Sequence, residues 1–564
     1  MWKKRPVNSY EELKATRPGS TFDIPEYPTI ASDKLPAVKN LAEAKEKIFS
    51  RLTDSSIVVS TDYDVDGVMS ASIIIKMLAF LTRLAAKVNE KNPSAINLLV
   101  PDRMKDGYGF NATTAQTIQD SLIILLDNGT VQHEAINIAK ANGNEVVVID
   151  HHEPDNSPCE ADILVNPHAV SGGLFNEYCA AGLCYRVVRS MMEEKWVIDN
   201  TPADILSEAM EEFIFLAAVA TIADVVPLLN ENRMIVKHGL KRIPPSWRPF
   251  INYLCETDDE RDHVWGDEIR FKVAPAINAS GRLGELTSNF ILAMCLNKNG
   301  QRDTVAKHIL RQNAKRRNLT DSGIKLITNH IEKNPDLLIH NALVINSAAH
   351  VGVVGIIAGR LADKYQKPCF VFTKNESGEY VGSARTKPGT VNLKQLLDEV
   401  AAKFPGVIIR HGGHELAAGI TVDAKRFDDF VSAVYSIVDK LTYQVETDKF
   451  YDFEISPTDD WFDVFKELEE NGPWGEGNPT PVFMVNVDLA SDSMKVKAFK
   501  ETVRLMDADL HEYLGFGMKE DVEGKDQLKL FGTICRNEYH GGDRMQFTID
   551  GFEDVSNQQV AMTV

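Results

Sequence analysis

The chain has 564 residues, 44% of them hydrophobic and 25% charged, and its formal net charge at pH 7 is -20. This composition is ordinary for a globular protein, and the length indicates three or four domains. The acidic excess excludes non-specific adhesion to nucleic acid or to an anionic membrane as the default interaction, although a local basic groove can still bind nucleic acid.

The cysteines and the N-terminus predict a cytoplasmic protein. The seven cysteines are odd in number and include no Cys-x-x-Cys pair, which indicates reduced thiols rather than a disulfide framework or a zinc site. The opening MWKKRPVNSYEELK lacks the apolar core of a signal peptide. The longest apolar runs, such as residues 213–223, are too short to span a bilayer, so we expect no membrane partner.

The first 285 residues predict an arm and then an α/β domain. Residues 1–44 form the arm, whose first 35 residues are rich in Pro, Ser and Thr and are expected to be irregular. In the domain that follows, at residues 45–285, the apolar segments SSIVVS, SLIILL and EVVVI each run into an acidic residue. Helical patterns follow the first two of these segments, and strands that alternate with helices favour a parallel sheet with helices on both faces.

Acidic clusters at the ends of these strands are expected to meet. In an open parallel sheet the functional site lies outside the carboxyl ends of the strands. The first three strands end in STDYDVDG, in Asp127 and in DHHEP. The apolar run at residues 213–223 is followed by Asp224, which we expect at a fourth strand end. We therefore expect one crevice to hold the following residues: Asp62, Asp64, Asp66, Asp127, Asp150, His151, His152 and Asp224.

Crowded carboxylates repel one another and need cations. Carboxylates with one or two imidazoles suit Mn²⁺ or Mg²⁺, and two such ions can clamp the oxygens of a phosphoryl centre. Asp127 is the best-placed bridge between them. DYDVDG also resembles the start of a calcium loop, but the bidentate glutamate that ends such a loop is missing. Taken singly, each cluster is equally well explained as a helix cap or a solvated turn.

The remainder of the chain predicts three further parts. Residues 286–335 favour a long connecting helix with the basic segment RQNAKRRNL. Residues 336–440 favour a second α/β domain with glycine-rich turns. Residues 441–564 have short alternating strands and favour a small β-barrel.

The motifs DYDVDG, DHH and ADVVPL resemble those of the DHH phosphoesterase superfamily. PDRMKDGYGF, PAINASGRL, HVGVVGIIAGRL, GSAR, GGHELAAG and GPWGEGNPTPVF resemble the RecJ branch in particular, in the same order. The resemblance implies a DHH domain, a DHHA1 domain and an OB-like barrel, and a single-strand-specific 5′-to-3′ DNA exonuclease of recombination and repair with two Mn²⁺ or Mg²⁺ ions. By motif position the implied metal ligands are Asp64, Asp66, Asp127, His151 and Asp224. Asp62 and His152 become catalytic supports, with His152 donating to the scissile phosphate.

A second set of residues is expected to hold the DNA strand, which needs cations along its backbone and flat faces for its bases. Arg385 is the first choice for a terminal 5′ phosphate, because its planar fork matches phosphate oxygens. Glycines near it allow backbone N–H groups to approach closely. The expected substrate-binding residues are Arg103, Tyr108, Asn278, Arg282, Ser383, Arg385, Gly412, Gly413 and His414.

One position departs from the family pattern. Relatives commonly carry a histidine four residues before Asp64, where this chain has Ser60. Serine is a poor metal ligand, so we predict weaker binding of one ion.

Two other functions remain open at this stage. The first is a DHH phosphodiesterase that acts on short oligonucleotides or cyclic dinucleotides, whose members are usually shorter and lack the barrel. The second is a non-catalytic DNA-binding scaffold, against which the intact set of carboxylates argues. A monomer is expected, with a helicase or a single-strand-binding protein as the candidate protein partner. The sequence leaves open its cellular or viral origin, its processivity and its choice between RNA and DNA.

Overall fold

Four β-sheets organise the part of the chain that the computed structural model describes. The described residues are 2–17, 19–27, 29–101, 109–173, 175–255, 264–284, 290–291, 301–441, 449–491, 494–499, 502–518, 522, 524–537 and 544–555.

The N-terminal arm is more regular than its composition predicted. It contains strand β1 (Trp2–Lys4) and helix α1 (Tyr10–Ala15). Strand β1 pairs in parallel with residues 449–451, and the buried Tyr10 packs in the core of the C-terminal domain. The composition did not predict these two elements, because their order comes from contacts with residues more than 400 positions away, which no local pattern encodes.

The first domain contains the parallel sheet expected from the sequence. Its order is β3-β2-β4-β5-β6, and all pairs are parallel. The three central strands β2, β4 and β5 are rich in Val, Ile and Leu and are buried on both faces, as a sheet covered by helices requires. The strands are β2 (Ser56–Thr61), β3 (Ala95–Leu99), β4 (Leu122–Leu126), β5 (Glu145–Ile149) and β6 (Ile163–Val165).

The helices of this domain cover the sheet and extend beyond it. They are α2 (Leu41–Phe49), α3 (Val65–Asn89), α4 (Ala112–Ala115), α5 (His133–Ala141), α6 (Ala180–Met192), α7 (Lys195–Asp199), α8 (Ala203–Ala223), α9 (Asn230–Gly239), α10 (Arg248–Cys255), α11 (Gly266–Glu268) and α12 (Ala274–Arg282). A π-helical segment, Ile269–Val273, joins α11 to α12.

Two helices differ from the sequence predictions. Residues 213–223 lie in helix α8 and not in a strand, because a continuously apolar run has no period that separates a buried helix from a buried strand. Helix α3 is long and apolar enough to cross a membrane, whereas we expected no such stretch. It is a core helix here, since 72% of its most apolar 18-residue window is buried inside the protein.

The connecting helix and the second domain follow. Helix α13 (Gln301–Lys333) leads to a five-stranded sheet of order β10-β11-β9-β8-β7, in which only the β7–β8 pair is parallel. The strands are β7 (Leu343–Asn346), β8 (Cys369–Lys374), β9 (Tyr380–Arg385), β10 (Ile408–Gly413) and β11 (Ala417–Val422). The helices are α14 (Val354–Tyr365), α15 (Leu393–Lys403) and α16 (Phe427–Val438).

The C-terminal domain is the β-domain expected from the sequence. Its seven-stranded sheet has the order β13-β14-β18-β19-β17-β16-β15, and helix α17 (Trp461–Asn471) contributes Trp461 to its core. Its strands are β13 (Phe453–Ile455), β14 (Phe483–Asp488), β15 (Lys495–Phe499), β16 (Thr502–Met506), β17 (Glu512–Gly515), β18 (Gln527–Asn537) and β19 (Arg544–Asp554). Strand β12 (Lys449–Tyr451) precedes them and pairs with β1 in the separate two-stranded sheet.

Candidate metal centre

The acidic cluster lies where the strand order of the first sheet changes direction. Strand β2 has β3 on one side and β4 on the other, so the carboxyl ends of β2 and β4 form a topological switch point. Thr61 and Leu126 are paired at the ends of these strands, which places Asp62 and Asp127 side by side just beyond them. Ligands of open α/β sheets bind at such a point.

The loop after β2 folds back tightly so that its aspartates face one region. Gly67 makes this fold possible, since a Cβ at this position would lie 2.5 Å from the backbone oxygen of Asp62. Asp64 caps helix α3 by accepting a hydrogen bond from the Gly67 N–H at 3.1 Å. The loop therefore places Asp62 at its start, Asp64 at the cap of helix α3 and Asp66 in the first turn of that helix.

Asp66 is fixed by the start of another helix. Its two carboxylate oxygens accept hydrogen bonds from the backbone N–H groups of Ala180 and Ala181, at 2.7 and 2.8 Å. These N–H groups belong to the first turn of α6, where backbone donors and the helix dipole favour an anion. The sequence does not predict this support, because Cys179 at the N-cap is not among the residue types that normally mark a helix start.

Asp127 is buried and adopts a left-handed backbone conformation, with φ of +57°. A non-glycine residue rarely adopts this conformation, and such strain is concentrated at functional sites. The next residue holds the turn, because the Asn128 side chain donates to the backbone oxygen of Leu126 and accepts from the N–H of Phe110.

Helix α8 delivers Asp224, which lies at the helix end. The following residue, Val225, has φ of +60°, an unusual value for a β-branched side chain. The chain turns sharply here, so the carboxylate of Asp224 reaches the cluster although no strand ends at this position.

His151 is the centre of the cluster. Its Nε2 atom lies 3.4 Å from Asp127 Oδ1, 3.6 Å from Asp66 Oδ2 and 3.6 Å from Asp224 Oδ2. These three carboxylates come from three different segments of the chain. Three groups of side chains place their donor atoms within 4.8 Å of one another: Asp127, His151 and His152; Asp66, His151 and Asp224; Asp62, Asp64 and Asp127.

The electrostatics of the cluster fit divalent cations. Burial, and then the charge of Asp64, raises the pKa of Asp66 to about 7. Burial and neighbouring carboxylates also raise the pKa values of Asp127 and Asp224 well above the ordinary value. Burial lowers the pKa of His151 to about 4, which leaves its imidazole neutral, the form that binds metal. Buried acids that repel one another around a neutral imidazole suit Mn²⁺ or Mg²⁺.

Asp150 points away from this centre and holds the histidines. Its Oδ1 accepts from the N–H of His151 at 2.8 Å and lies 2.7 Å from His152 Nδ1, and its Oδ2 accepts from the N–H of Thr130. Burial opposes the charged form of His152, but Asp150 outweighs it and raises the pKa of His152 to about 9. The two adjacent histidines therefore differ in charge at neutral pH.

The second domain brings two other predicted residues, Ser383 and Arg385, together. On β9, Arg385 donates to the Ser383 hydroxyl and to the Ala384 backbone oxygen, both at 2.7 Å. A Cβ at Gly355, in the first turn of α14, would lie 3.1 Å from both Arg385 Nη2 and Ser383 Oγ. Ser383 and Arg385 thus lie against a helix N-terminus, the arrangement that binds phosphate.

His414 links the two domains electrostatically. Partial burial, and then the charge of His152, lowers the pKa of His414. Gly412 and Gly413 end strand β10 just before it and are exposed. A Cβ at Gly413, where φ is +143°, would lie 2.3 Å from the Ala417 oxygen, so this turn accepts only glycine.

Helix α12 carries the remaining described substrate-binding candidates. Asn278 accepts a hydrogen bond from the N–H of Val65 at 3.0 Å, so its side chain supports the acidic loop. Arg282 is the last residue of α12, and its backbone oxygen would lie 1.9 Å from a Cβ at Gly352. This contact joins the first domain to the second. Arg103 and Tyr108 lie outside the described residues.

Trp474 of the C-terminal domain is a packing residue. Its indole Nε1 donates to the Leu468 backbone oxygen at 2.9 Å, and its ring packs against Tyr10.

Three family models match the chain in order. They are the DHH family N-terminal domain at residues 56–210, the DHHA1 domain at residues 338–440 and the RecJ OB domain at residues 451–551. The chain belongs to the RecJ branch of the DHH phosphoesterases. The family that the strand-end motifs and the glycine-rich turns suggested is thus confirmed.

Individual RecJ proteins resemble the chain over most of its length. It is 28% identical over 461 residues to the single-stranded-DNA-specific exonuclease RecJ of Dickeya dadantii, covering 78% of this chain and 77% of the relative. It is 26% identical to that of Escherichia coli over 538 residues, which cover 91% and 90% of the two chains. The crystal structure of Thermus thermophilus RecJ in complex with Mn²⁺ matches 98% of this chain and 79% of its own, with a TM-score of 0.75 and 22% identity.

Proposed function

We propose that this RecJ protein is a metal-dependent exonuclease that hydrolyses single-stranded DNA from its 5′ end and acts in recombination and repair. The observation that carries the proposal is the position of His151 Nε2, within 3.6 Å of carboxylates from three separate segments. Isolated acidic turns would not converge in this way. The exonuclease relatives and the three matching domains support the same activity.

The proposed cofactors are two Mn²⁺ or Mg²⁺ ions. Asp64, Asp66, Asp127, His151 and Asp224 would hold them, with Asp127 placed to bridge. When bound, the ions would neutralise charge on the scissile phosphate and activate the attacking water. Asp62, which is buried beside Asp127, would complete the acidic wall.

His152 is the proposed donor to the scissile phosphate. Its hydrogen bond to Asp150 through Nδ1 orients the ring, and its pKa, raised to about 9, means that the ring carries a proton to donate at neutral pH. A positioned acid of this kind stabilises charge on phosphate oxygens or protonates the leaving oxygen.

The wall of the second domain would hold the 5′ end. Arg385 and Ser383 would bind the terminal phosphate beside the first turn of α14, and the N–H groups near Gly412 and Gly413 would contact the next phosphate. His414 and Arg282 would line the cleft between the domains. A cleft closed on two sides by different domains admits one flexible strand more readily than a duplex, which accounts for selectivity towards single strands.

The protein is proposed to work as a cytoplasmic monomer, with a helicase or a single-strand-binding protein supplying the strand. The described cysteines form no disulfide bond, and four of them are buried, in keeping with a reducing compartment.

The test is digestion of matched 5′-³²P-labelled substrates with Mn²⁺ or with EDTA: single-stranded DNA, blunt duplex and short RNA. We expect release of labelled mononucleotides or very short products from single-stranded DNA alone, and no release in EDTA or by Asp127→Ala. Digestion that survives Asp127→Ala would remove the proposed centre. Equal rates on duplex would remove the proposed role of the cleft, and a preference for dinucleotides would favour a small-substrate phosphodiesterase.

A further inference from the structure

The segment that carries Asp224 depends on parts of the chain outside the first domain. We call residues 224–229 the Asp224 segment and residues 472–480 the OB loop. Among the described residues, no hydrogen-bond donor holds the carboxylate of Asp224, in contrast to Asp66 with its two backbone donors. The position of this carboxylate is therefore set by the backbone of its segment, where Val225 has φ of +60°.

The OB loop lies directly on the Asp224 segment. The backbone N–H of Leu228 donates to the Glu476 oxygen at 2.8 Å. A Cβ at Gly475 would lie 2.7 Å from Leu228 Cδ1, so the two surfaces are in close contact. Gly477 has φ of +68°, and a Cβ there would lie 3.1 Å from Leu229 Cδ1. The glycines of this loop thus permit an approach that a side chain would prevent.

The N-terminal arm holds the OB loop from the other side. Arg17 Nη1 donates to Asn478 Oδ1 at 2.9 Å and to the Pro479 oxygen at 2.7 Å. Asn478 is fully buried, and its Nδ2 donates to the Pro473 oxygen. Arg17 is itself almost fully buried, so this contact fixes the shape of the loop.

The same arm also reaches the far end of the Asp224 segment. The N–H of Asn230, where helix α9 begins, donates to the Gly19 oxygen at 2.9 Å. A Cβ at Gly19 would lie 3.1 Å from both the Asn230 side chain and Leu229 Cβ. The segment is consequently held at both Leu228 and Asn230 by elements from the two ends of the chain.

We infer that the OB loop and the N-terminal arm together position Asp224, so that the OB domain and the arm set the affinity of one metal ion in the DHH domain. Strain at Val225 persists only if surrounding structure maintains it, and these contacts supply that structure. Groups behind a metal ligand commonly change metal affinity about 10- to 100-fold when they are removed. The inference rests on the proposed metal-dependent function, and it assigns a role to the arm.

Gly477→Ala and Gly517→Ala form a matched pair for the test. Both glycines lie in the C-terminal domain with nearly the same backbone conformation, φ of +68° and +72°, so alanine introduces similar strain. Only Gly477 contacts the Asp224 segment, since nothing lies within 4 Å of a Cβ at Gly517. A second pair is Arg17→Met, which releases the OB loop, and Arg5→Met, which breaks the arm's ion pair with Asp452 but leaves that loop in place.

The measurement is a Mn²⁺ titration of the metal-stripped full-length protein, with free Mn²⁺ followed by electron paramagnetic resonance in the absence of DNA. We expect Gly477→Ala and Arg17→Met to weaken one of two binding events about tenfold or more, and Gly517→Ala and Arg5→Met to match the wild type. Circular dichroism would verify that each variant is folded.

If all four variants bind Mn²⁺ with the affinity of the wild type, the inference is overturned and the proposed function still stands. Equal weakening within both pairs would also overturn it, because the effect would then be general destabilisation. A wild-type protein that binds no Mn²⁺ would overturn the proposed function and this inference together.

Discussion

Asp150 Oδ1 lies 2.7 Å from His152 Nδ1, and the same oxygen accepts the backbone N–H of His151. The carboxylate that begins the DHH motif therefore orients both histidines and does not face the cluster of candidate ligands. His152 is held charged by this contact, with a pKa raised to about 9, while its neighbour is neutral. In the proposed function, the motif therefore places a metal ligand and a proton donor in adjacent positions.

This relationship predicts different effects at its two residues. His152→Ala should lower kcat about 10²- to 10⁴-fold, the usual contribution of a positioned acid or base. Asp150→Asn should lower kcat less, about 10- to 100-fold, because it weakens the orientation and charge of His152 without removing the ring. Steady-state digestion of 5′-labelled single-stranded DNA, alongside Mn²⁺ titration, would measure both. An Asp150→Asn enzyme as active as wild type would contradict the assigned role.

Arg385 should determine recognition of the 5′ phosphate. Arg385→Lys keeps the charge and loses the planar fork, so the preference for 5′-phosphorylated over 5′-hydroxyl DNA should fall about tenfold or more. Arg426→Lys is a matched control in the same domain, since Arg426 is exposed and pairs with Asp429. The ratio of kcat/KM for the two substrates is the measurement, and an unchanged ratio in Arg385→Lys would exclude the assignment.

Replacing Ser60 with histidine should strengthen the binding of one metal ion. It lies buried in β2, two residues before Asp62, at the position where relatives commonly carry histidine. Ser60→His should therefore lower the Mn²⁺ concentration that gives half-maximal activity, because an imidazole adds a ligand to one ion. A Mn²⁺ dependence identical to that of the wild type would show that Ser60 does not limit metal binding.

The crowded carboxylates predict an unusual dependence of stability on pH in EDTA. Asp66 has a folded-state pKa raised to about 7 from an ordinary value of 3.8. A raised pKa means that the folded state binds the proton more tightly, so this stabilisation is complete below the ordinary value and is lost as pH rises through about 7. The melting temperature of the metal-free protein should accordingly fall between pH 5 and pH 8.

Asp66→Asn isolates this effect, because it removes the titrating group and keeps a similar shape. Its melting temperature should depend less on pH over the same range. Mn²⁺ should stabilise the wild type more at pH 8 than at pH 5, since the metal needs deprotonated ligands. Differential scanning calorimetry would measure the melting temperatures of wild type in EDTA, of Asp66→Asn in EDTA and of wild type with Mn²⁺. Identical pH profiles for wild type and Asp66→Asn in EDTA would refute the raised pKa of Asp66.

The sequence predicted the positions of the site residues that come directly after β-strands. Segments such as SLIILL and EVVVI are continuously apolar, and Asp127 and Asp150 follow directly after them, so their convergence at one sheet edge could be inferred. Asp224 was expected at a strand end and lies at the end of helix α8, because periodicity carries no information in a fully buried run.

Contacts between distant parts of the chain could not be predicted. The Ala180 and Ala181 N–H groups that hold Asp66 lie more than 110 residues from it, and no residue type marks them. The contact of Arg17 with Asn478 spans 461 positions. Such contacts depend on how domains pack, and the pattern of one segment does not encode the surface of another.

The most direct test of the central claim is the anomalous difference map of a crystal soaked in Mn²⁺. We expect two strong peaks about 3.5–4 Å apart between the carboxylates around His151 Nε2, with Asp127 contacting both. A map with no peak there, or with manganese bound only at other surfaces, would contradict it.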